Sequence, residues 1–257
     1  MEKNDALARL EALPGEIGFY YKNLATGECW GYHEDAQLES ASVIKLPIYA
    51  VVMKLCAAGA LDPSERLLCR EADKLPSCGA LQYFTGEVEA DIRTLCALMI
   101  SLSDNSATNL LIRRLGIDFL NGEFRGIGLE GSHIERLLFD GDASARGLEN
   151  KIVPAEMGML LEQIVRRRFV SAAVSEEMEG LLRRQQIKHK IPGYLPRGTP
   201  VAHKTGEDAG ITNDVGVVFA AQPFVLCFAS NHTDVPLAER TLRQLSLELF
   251  LRCSQTE

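Results

Sequence analysis

The first sixty residues switch between the two hydrophobic periods of regular secondary structure. Apolar positions in residues 5–13 recur every three or four residues, which predicts a short amphipathic helix. Two runs rich in aromatic residues, 17–21 and 28–32, predict strands. The stretch 23–27 between them ends in Gly27 and predicts a hairpin turn. The chain therefore begins with a helix followed by a β-hairpin.

A nearly continuous apolar stretch follows this hairpin. Residues 43–55 are apolar on almost every side of a helix, which is typical of a helix buried in a core. Pro47 fits the first turns of such a helix, where a missing backbone N–H has little effect. Ser42 stands at the start of this helix, so its hydroxyl would lie near the positive end of the helix dipole.

The spacing of apolar positions also predicts that the middle of the chain is mainly helical. Asn105 is placed to cap one of the helices, and the segment 119–128 is short and interrupted by glycines. Residues 134–153 are predicted to be a polar, irregular loop. Amphipathic helices are predicted over residues 91–102, 105–115, 154–167 and 171–185.

Strand-like runs return after a segment rich in proline and glycine at 192–200. Three of them, over 200–205, 214–221 and 224–230, precede an amphipathic helix over 235–253. Because strands occur at both ends of the chain and helices between them, the pattern predicts an α/β (α+β) fold. The fold would combine an antiparallel sheet from both termini with an inserted all-helical lobe.

The composition is that of an acidic globular protein. Hydrophobic residues make up 46% of the chain, which is ordinary for a globular protein. The chain has 27 Lys and Arg and 35 Asp and Glu, so its net charge is −8. This negative charge argues against a nucleic-acid partner. We interpret residues 1–257 as a single domain, which is long enough to bury a full core. Its sheet lobe would cover about 1–58 and 198–257, and its helical lobe about 59–197.

Cysteine and histidine spacings argue against a disulfide framework or a zinc site. The seven cysteines include no C-x-x-C pair, so we interpret them as reduced and mostly buried side chains. Cys69 and Cys78 are expected to be structural rather than reactive. The five histidines show no H-E-x-x-H spacing. We therefore expect no metal and no cofactor.

The sequence shows no export signal and no membrane segment. The N-terminus lacks a basic region followed by an apolar one, and no apolar run approaches the length of a transmembrane helix. We therefore expect a cytoplasmic protein without a membrane partner, or an exported protein if a leader precedes this sequence.

The tetrapeptide Ser42-Val43-Ile44-Lys45 is the first candidate for chemistry. Positions three apart share a helix face, so the Lys45 amine can approach the Ser42 hydroxyl. A nucleophilic serine needs a base within hydrogen-bond reach, and a lysine buried beside other cations loses its charge readily. Taken alone, the spacing also fits a solvated helix face.

Two triplets extend this candidate site. Ser103-Asp104-Asn105 lies between two predicted helices, where a short loop can direct side chains outward, and Lys204-Thr205-Gly206 ends a predicted strand. A helix cap and an ordinary strand end are the alternative interpretations of these triplets. We expect Asp104 to hold its loop through hydrogen bonds to the backbone, and His203 to face away from the site.

Together these motifs resemble those of the class A β-lactamases and the wider family of penicillin-recognising serine enzymes, which carry S-x-x-K, S-D-N and K-T-G. The resemblance extends over nearly the whole chain and includes Thr212-Asn213-Asp214-Val215-Gly216. It implies a five-stranded antiparallel sheet with covering helices, a helical lobe, and an active site in the cleft between them.

The resemblance also implies a role for each motif residue. Ser42 would attack a strained or amide carbonyl, Lys45 would take its proton, and Ser103 would relay a proton to the leaving nitrogen. The other residues would bind the substrate. Asn105 would hold the side-chain amide of the substrate, and Lys204 and Thr205 would hold its carboxylate. Gly206 would leave room for the substrate, and the backbone N–H groups of Glu207 and Ser42 would form the oxyanion hole.

Two features depart from the family pattern. The loop before Pro154 contains no E-x-x-L-N, the stretch whose glutamate activates the deacylating water in class A β-lactamases. Glu207 stands where these enzymes usually have a small hydroxyl residue, and a carboxylate there would repel an anionic substrate. The sequence therefore predicts ready acylation with deacylation that is slow or uses another base. The loop offers four carboxylates as substitutes: Glu135, Asp140, Asp142 and Glu149.

The leading hypothesis is a β-lactamase-like serine hydrolase that opens β-lactam rings through an acyl intermediate on Ser42. The first alternative is a penicillin-binding D,D-peptidase, or another serine amidase or esterase on the same scaffold. The second alternative is a non-hydrolytic sensor that binds β-lactams. The expected partner is a small molecule, either a β-lactam or an acyl-D-Ala-D-Ala-like peptide, and the expected state is a monomer.

Overall fold

The strands of the structure come mostly from the two ends of the chain. The computed structural model describes residues 3–255. Its strands are β1 (Glu16–Asn23), β2 (Cys29–Tyr32), β3 (Leu38–Glu39), β4 (Arg66–Cys69), β5 (Val88–Asp91), β6 (Lys151–Ile152), β7 (Val201–Asp208), β8 (Ile211–Val218) and β9 (Phe224–Asn231).

Five of these strands form one antiparallel sheet in the order β2-β1-β9-β8-β7. β1 pairs with β9 along its whole length, from Glu16 opposite Asn231 to Asn23 opposite Phe224. The N-terminal hairpin is thus hydrogen-bonded to the last strand of the chain. This arrangement confirms the predicted five-stranded sheet built from both termini, and it leaves β7 as an edge strand.

Helices cover the sheet and fill the middle of the chain. No helix within residues 3–255 is both long enough and apolar enough to cross a membrane. The helices are α1 (Lys3–Glu11), α2 (Lys45–Ala57), α3 (Ile92–Ser101), α4 (Asn105–Leu115), α5 (Ile117–Gly126), α6 (Gly141–Ala145), α7 (Pro154–Val165), α8 (Ala172–Leu182) and α9 (Val235–Cys253).

Alternate residues of the central strand β9 belong to two different cores. Phe224 and Phe228 pack in a core that includes residues of α1 and α9, whereas Val225 and Cys227 belong to a larger core with α2 and α7. Successive side chains of a strand point to opposite faces of a sheet, which explains this alternation. Because helices cover both faces, every residue of β9 is buried.

Helix α2 is buried from its first residue. Residues 45–52 are all buried, which explains why the sequence there is apolar nearly all round. A 3₁₀ turn, Ala41–Ile44, leads directly into α2. Ser42 therefore lies in this turn and Lys45 begins the α-helix, so the two side chains flank the junction.

The structure corrects two local predictions. Residues 117–126 form a regular helix, α5, instead of a broken segment, because Leu120 and Phe124 bury one face of the helix and offset its glycines. The predicted irregular loop 134–153 contains α6 and β6, and β6 pairs with β3. Strands of two residues are too short to show any hydrophobic period, so this pair could not be predicted from the sequence.

Candidate active site

The predicted catalytic residues meet at a cleft of about 690 Å³ beside the edge strand β7. The cleft is bounded by β7, the turn that carries Ser42, the loop at Ser103 and the loop 136–150. Within the described residues, no group of three or more His, Cys, Asp or Glu side chains could hold a metal ion. The lining includes Ser42, Cys78, Ser103, Asn105, Leu138, Phe139, Ile187, Thr205, Gly206 and Glu207.

Lys45 lies at the centre of a hydrogen-bond network beneath this cleft. Its buried Nζ is 2.9 Å from the Ser42 Oγ, 3.0 Å from the Ser103 Oγ, 2.8 Å from the Ser103 carbonyl oxygen and 2.8 Å from the Asn105 Oδ1. Burial, reinforced by the nearby charge of Lys204, holds the pKa of Lys45 well below its usual value. A neutral amine at this distance can accept the hydroxyl proton of Ser42.

Gly206, near the end of β7, lies so close to the backbone around Ser42 that a larger residue would not fit there. A side chain at Gly206 would place its Cβ 2.9 Å from the Ser40 carbonyl oxygen and 3.1 Å from the Ser42 backbone nitrogen. Ala41, just before Ser42, has a φ of +41°, in the left-handed region. The end of β7 and the Ser42 turn are therefore in direct backbone contact, as an oxyanion hole shared by the two segments requires.

Ser103 connects the two buried lysines. Its Oγ accepts hydrogen bonds from the Lys45 Nζ at 3.0 Å and from the Lys204 Nζ at 3.1 Å. Because both lysines donate to this oxygen, the hydroxyl hydrogen is free to point into the cleft. Ser103 can therefore give a proton to a leaving group there and recover one from Lys45.

Lys204 is fully buried and has an unusual acidity. Burial lowers its pKa to about 7, although the negative charge of Asp214 opposes the shift. Its Nζ also donates to the Thr205 carbonyl oxygen at 2.7 Å. Lys204 is thus mostly a cation below about pH 7 and mostly a neutral amine above it. His203, its neighbour, is buried against Asp214, with 3.0 Å between Nδ1 and Oδ1, and does not line the cleft.

Asp104 holds the Ser103 loop in place, as predicted, and it also caps α4. Its Oδ2 accepts hydrogen bonds from the backbone N–H groups of Ala80 (2.7 Å) and Leu81 (2.9 Å), and its Oδ1 accepts one from Ala107 (2.9 Å). The N-cap of α4 is therefore Asp104, and the prediction that Asn105 caps this helix was wrong. The Asp104 carboxylate can accept hydrogen bonds from residues 80–81 and from α4 at the same time. The Asn105 side chain cannot cap the helix because its Oδ1 accepts a hydrogen bond from Lys45.

Asp104→Ala is expected to lower the free energy of unfolding by about 3 kcal/mol, because three buried N–H groups lose a charged acceptor. Asp91→Ala is the matched control: Asp91 caps α3 through a single bond to the Thr94 N–H, and about 1 kcal/mol is expected. Urea unfolding of both variants measures the difference. Equal losses would show that the bonds to residues 80 and 81 contribute nothing.

Asn105 faces both the network and the cleft. Its Oδ1 accepts from Lys45 at 2.8 Å, and its Nδ2 donates to the Pro76 carbonyl oxygen at 3.0 Å. The Nδ2 group carries a second N–H, and Asn105 lines the cleft. The side chain can therefore position Lys45 and still donate to an amide carbonyl of a substrate.

Lys190 is a charged residue of this region that the sequence did not reveal. It is fully buried, and its Nζ donates to the Gly206 carbonyl oxygen at 2.7 Å and lies 3.3 Å from the Glu207 Oε1. The Glu207 carboxylate also lies 3.4 Å from the His189 Nε2. Lys190 thus offsets the negative charge of Glu207, which weakens the expected repulsion of anionic substrates. No periodicity or motif marks Lys190 in the sequence.

The four loop carboxylates proposed as deacylating bases differ in position and bonding. Glu149 binds Arg136 at 2.6 Å and also accepts from Ser144, and the Asp140 Oδ1 accepts from the Ala143 N–H at 2.9 Å. Glu135 and Asp142 are exposed and do not line the cleft. The two acids that reach the cleft therefore already serve to hold the loop.

The loop presents apolar side chains to the cleft, beginning with Leu138. The Asn109 side chain fixes the backbone of this residue: its Oδ1 accepts from the Leu138 N–H and its Nδ2 donates to the Leu138 carbonyl oxygen, both at 2.9 Å. Leu138 lines the cleft that contains Ser42. An alkyl side chain there cannot activate water, because it cannot accept a proton.

Comparison with known proteins places this site in a family. A model of the beta-lactamase enzyme family matches residues 2–252. The chain belongs to the beta-lactamase enzyme family. This membership, together with the shared fold, supports a β-lactam-hydrolysing serine enzyme and confirms the resemblance inferred from the motifs.

Relatives within the beta-lactamase family are distant but cover most of the chain. A beta-lactamase of Rhodobacter capsulatus is 26% identical over 84% of this chain and 74% of its own length. A beta-lactamase of Streptomyces lavendulae is 26% identical over 95% of this chain and 87% of its own length. The similarity is therefore not confined to the motif regions.

Solved structures with this fold include both β-lactamases and a protein named PBP-A. The beta-lactamase from Sphaerobacter thermophilus superimposes with a TM-score of 0.89 at 28% identity, covering 99% of this chain and 97% of the other. PBP-A superimposes with a TM-score of 0.88 at 28% identity, covering 97% and 94%. A PBP-A mutant with glutamate in place of a leucine was solved as an acyl-enzyme complex with penicillin G.

Proposed function

We propose that this protein is a serine hydrolase that opens β-lactam rings through an acyl intermediate on Ser42 and releases the acyl group slowly. The observation that carries the proposal is the 2.9 Å contact between the Ser42 Oγ and the Nζ of Lys45, a buried lysine with a strongly lowered pKa. Slow release is supported by Leu138, which lines the cleft in a loop whose cleft-facing acids are already bonded.

In the proposed reaction, the residues of the hydrogen-bond network transfer protons one after another. Lys45 takes the proton of Ser42 while the Oγ attacks the β-lactam carbonyl carbon, and the backbone N–H groups of Ser42 and Glu207 stabilise the oxyanion. Ser103 then protonates the ring nitrogen as the C–N bond breaks, and Lys45 returns a proton to Ser103. Hydrolysis of the resulting ester needs a water molecule and a base to activate it.

A D,D-peptidase is the second candidate, and a specific observation favours it. PBP-A matches the chain at the same 28% identity as the Sphaerobacter β-lactamase, with a TM-score of 0.88 against 0.89, and the apolar Leu138 fits an enzyme without an efficient deacylating base. The same Ser42 would then attack an acyl-D-Ala-D-Ala-like peptide. A non-hydrolytic sensor has less support, since a binding module does not need Lys45 and Ser103 aligned on a nucleophile.

Intact-protein mass spectrometry after mixing with benzylpenicillin tests the proposal, with Ser42→Ala as the control. We expect an adduct with the mass of the drug that forms within minutes, clears over hours, and is absent from the variant. An adduct that never clears would favour the peptidase, to be tested with D-Ala-D-Ala peptides. The absence of any adduct or drug loss would contradict acyl transfer from β-lactams.

The lowered pKa of Lys204 predicts how acylation depends on pH. Above about pH 7 this side chain becomes neutral and loses its attraction for the substrate carboxylate. We expect the acylation rate constant for benzylpenicillin to fall on the alkaline side, while that for its uncharged methyl ester does not. Lys204→Arg, which stays charged, should remove the fall. Parallel profiles for acid and ester would contradict this role.

A further inference from the structure

Lys190 is a buried lysine beside strand β7 that has no part in the proton transfers described above. It is fully buried and does not line the cleft. Its Nζ donates to the Gly206 carbonyl oxygen at 2.7 Å, and it lies 3.3 Å from both the Asn213 carbonyl oxygen and the Glu207 Oε1. Burying an ammonium group is costly unless hydrogen bonds and opposite charges compensate for the lost water. A lysine held in this position therefore calls for an explanation.

The backbone that carries Lys190 is anchored on two sides. Lys190 directly precedes a 3₁₀ turn, Ile191–Tyr194. The Ile191 N–H donates to the Asp214 Oδ2 at 3.0 Å, and the Ile191 carbonyl oxygen accepts from the Ser246 Oγ at 2.9 Å. These bonds connect the turn to strand β8 and to helix α9. The Lys190 side chain therefore reaches β7 from a fixed backbone.

The carbonyl that accepts from Lys190 and the proposed oxyanion donor belong to one peptide group. The Gly206 carbonyl carbon is bonded to the Glu207 nitrogen, and this peptide bond is trans. In a planar trans peptide the C=O and N–H point in opposite directions. Both residues line the cleft, and Gly206 lies against the Ser42 backbone nitrogen. By holding the carbonyl, Lys190 therefore sets the direction of the Glu207 N–H.

The positive charge of the Lys190 amine acts on the same peptide group. A cation at a carbonyl oxygen withdraws electron density from the N–H of that peptide, because linked hydrogen bonds polarise one another. Burial lowers the pKa of this amine, but the carboxylates of Glu207, Asp214 and Glu239 oppose the shift. A polarised N–H is a stronger donor to the negative charge that develops on a carbonyl oxygen under attack.

We propose that Lys190 is a positioning residue for acylation, which orients and polarises the Gly206–Glu207 peptide so that its N–H stabilises the oxyanion. The inference rests on the proposed function, in which this N–H and that of Ser42 form the oxyanion hole. It deepens that function by giving a task to a buried residue that does not line the cleft. Lys190 transfers no proton in this role.

Replacement of the β-lactam carbonyl oxygen by sulfur tests the inference. An oxyanion hole stabilises a sulfur anion poorly, because sulfur is larger and accepts hydrogen bonds weakly. The measured quantity is the ratio of second-order rate constants for acylation of Ser42 by a cephalosporin and by its analogue with C=S in place of the β-lactam C=O. We expect Lys190→Met to lower this ratio about 10-fold, less than the roughly 100-fold loss typical of removing an oxyanion donor. Lys190→Arg keeps the cation and should lower the ratio less than about 3-fold.

Two controls separate this role from other effects of the substitution. Lys188→Met removes an exposed lysine that does not line the cleft, and it should leave the ratio unchanged. Benzylpenicillin and its methyl ester differ only in the carboxylate, and Lys190→Met should slow acylation by both compounds by the same factor. A loss confined to the free acid would overturn the inference, since Lys190 would then serve the substrate carboxylate.

Thermal unfolding verifies that the variants are folded. Glu207 is half exposed, so water can replace its lost partner, and Lys190→Met should fold. If it does not, Lys190→Gln replaces it: the amide can still donate to the Gly206 carbonyl but carries no charge, and about a 3-fold lower ratio is expected. An unchanged ratio in a folded, uncharged variant would overturn the inference. If the cephalosporin does not acylate the wild-type protein, the proposed function itself fails, and that result is distinct from an unchanged ratio in proteins that react.

Discussion

Lys45→Met is expected to lower the rate constant for acylation of Ser42 by benzylpenicillin about 1,000-fold, the contribution typical of a positioned general base. Methionine has a similar length but carries no amine, so it cannot take the Ser42 proton across the 2.9 Å contact. Stopped-flow or mass-spectrometric acylation rates measure the effect.

The matched control for this variant is Lys54→Met on the same helix. Lys54 is partly exposed and pairs with Glu123 at 2.7 Å, neither residue lines the cleft, and the loss of Lys54 should leave acylation unchanged. Circular dichroism and thermal unfolding verify that both variants are folded. A folded Lys45→Met variant that acylates at the wild-type rate would exclude Lys45 as the base.

Leu138→Glu is expected to accelerate release of the acyl group from Ser42 about 100-fold, within the usual range for an added general base. The Asn109 side chain holds the backbone of residue 138 through both its N–H and its carbonyl, so a new side chain should still face the cleft. A carboxylate there can activate water for attack on the ester. The decay of the penicillin adduct, followed by mass spectrometry, measures the rate.

Leu138→Gln is the control, since glutamine matches glutamate in shape and cannot act as a base at neutral pH. Its adduct should decay at the wild-type rate, and the rate of adduct formation should change little in either variant. Equal decay in the glutamate and glutamine variants would contradict the view that a missing base limits deacylation. The question would then move to access of water to the ester.

The fold was predictable from the sequence wherever a hydrophobic period extended over several turns or a whole strand. Helices α3, α4, α7, α8 and α9 are amphipathic, and their predicted positions agree with the structure to within about three residues. The strands β3 to β6 are two to four residues long and carry no readable period. Helix α5 was missed because its two glycines lower helix propensity, which tertiary packing of Leu120 and Phe124 overrides.

The candidate site was predictable only in part, and for different reasons at different residues. The three-residue spacing alone suggested that Lys45 approaches Ser42, and their contact agrees with it. Ser103 and Lys204 joined them through the resemblance of the motifs, since no local pattern can bring residues so far apart in sequence together. The contact between Lys190 and the Gly206 carbonyl oxygen is a tertiary one, so nothing in the sequence around Lys190 predicted it.

The pairing of β1 with β9 determines when this protein can become active during synthesis. The sheet places Glu16 opposite Asn231, so β1 can pair with β2 early but lacks its other neighbour until β9 has been synthesised. Contacts between such distant residues also slow folding. The segment that carries Ser42 is synthesised early, but Lys204 and Gly206 can lie beside it only after β7 has been synthesised. The nascent chain should therefore remain unable to react with penicillin until β7 has been synthesised and has left the ribosome.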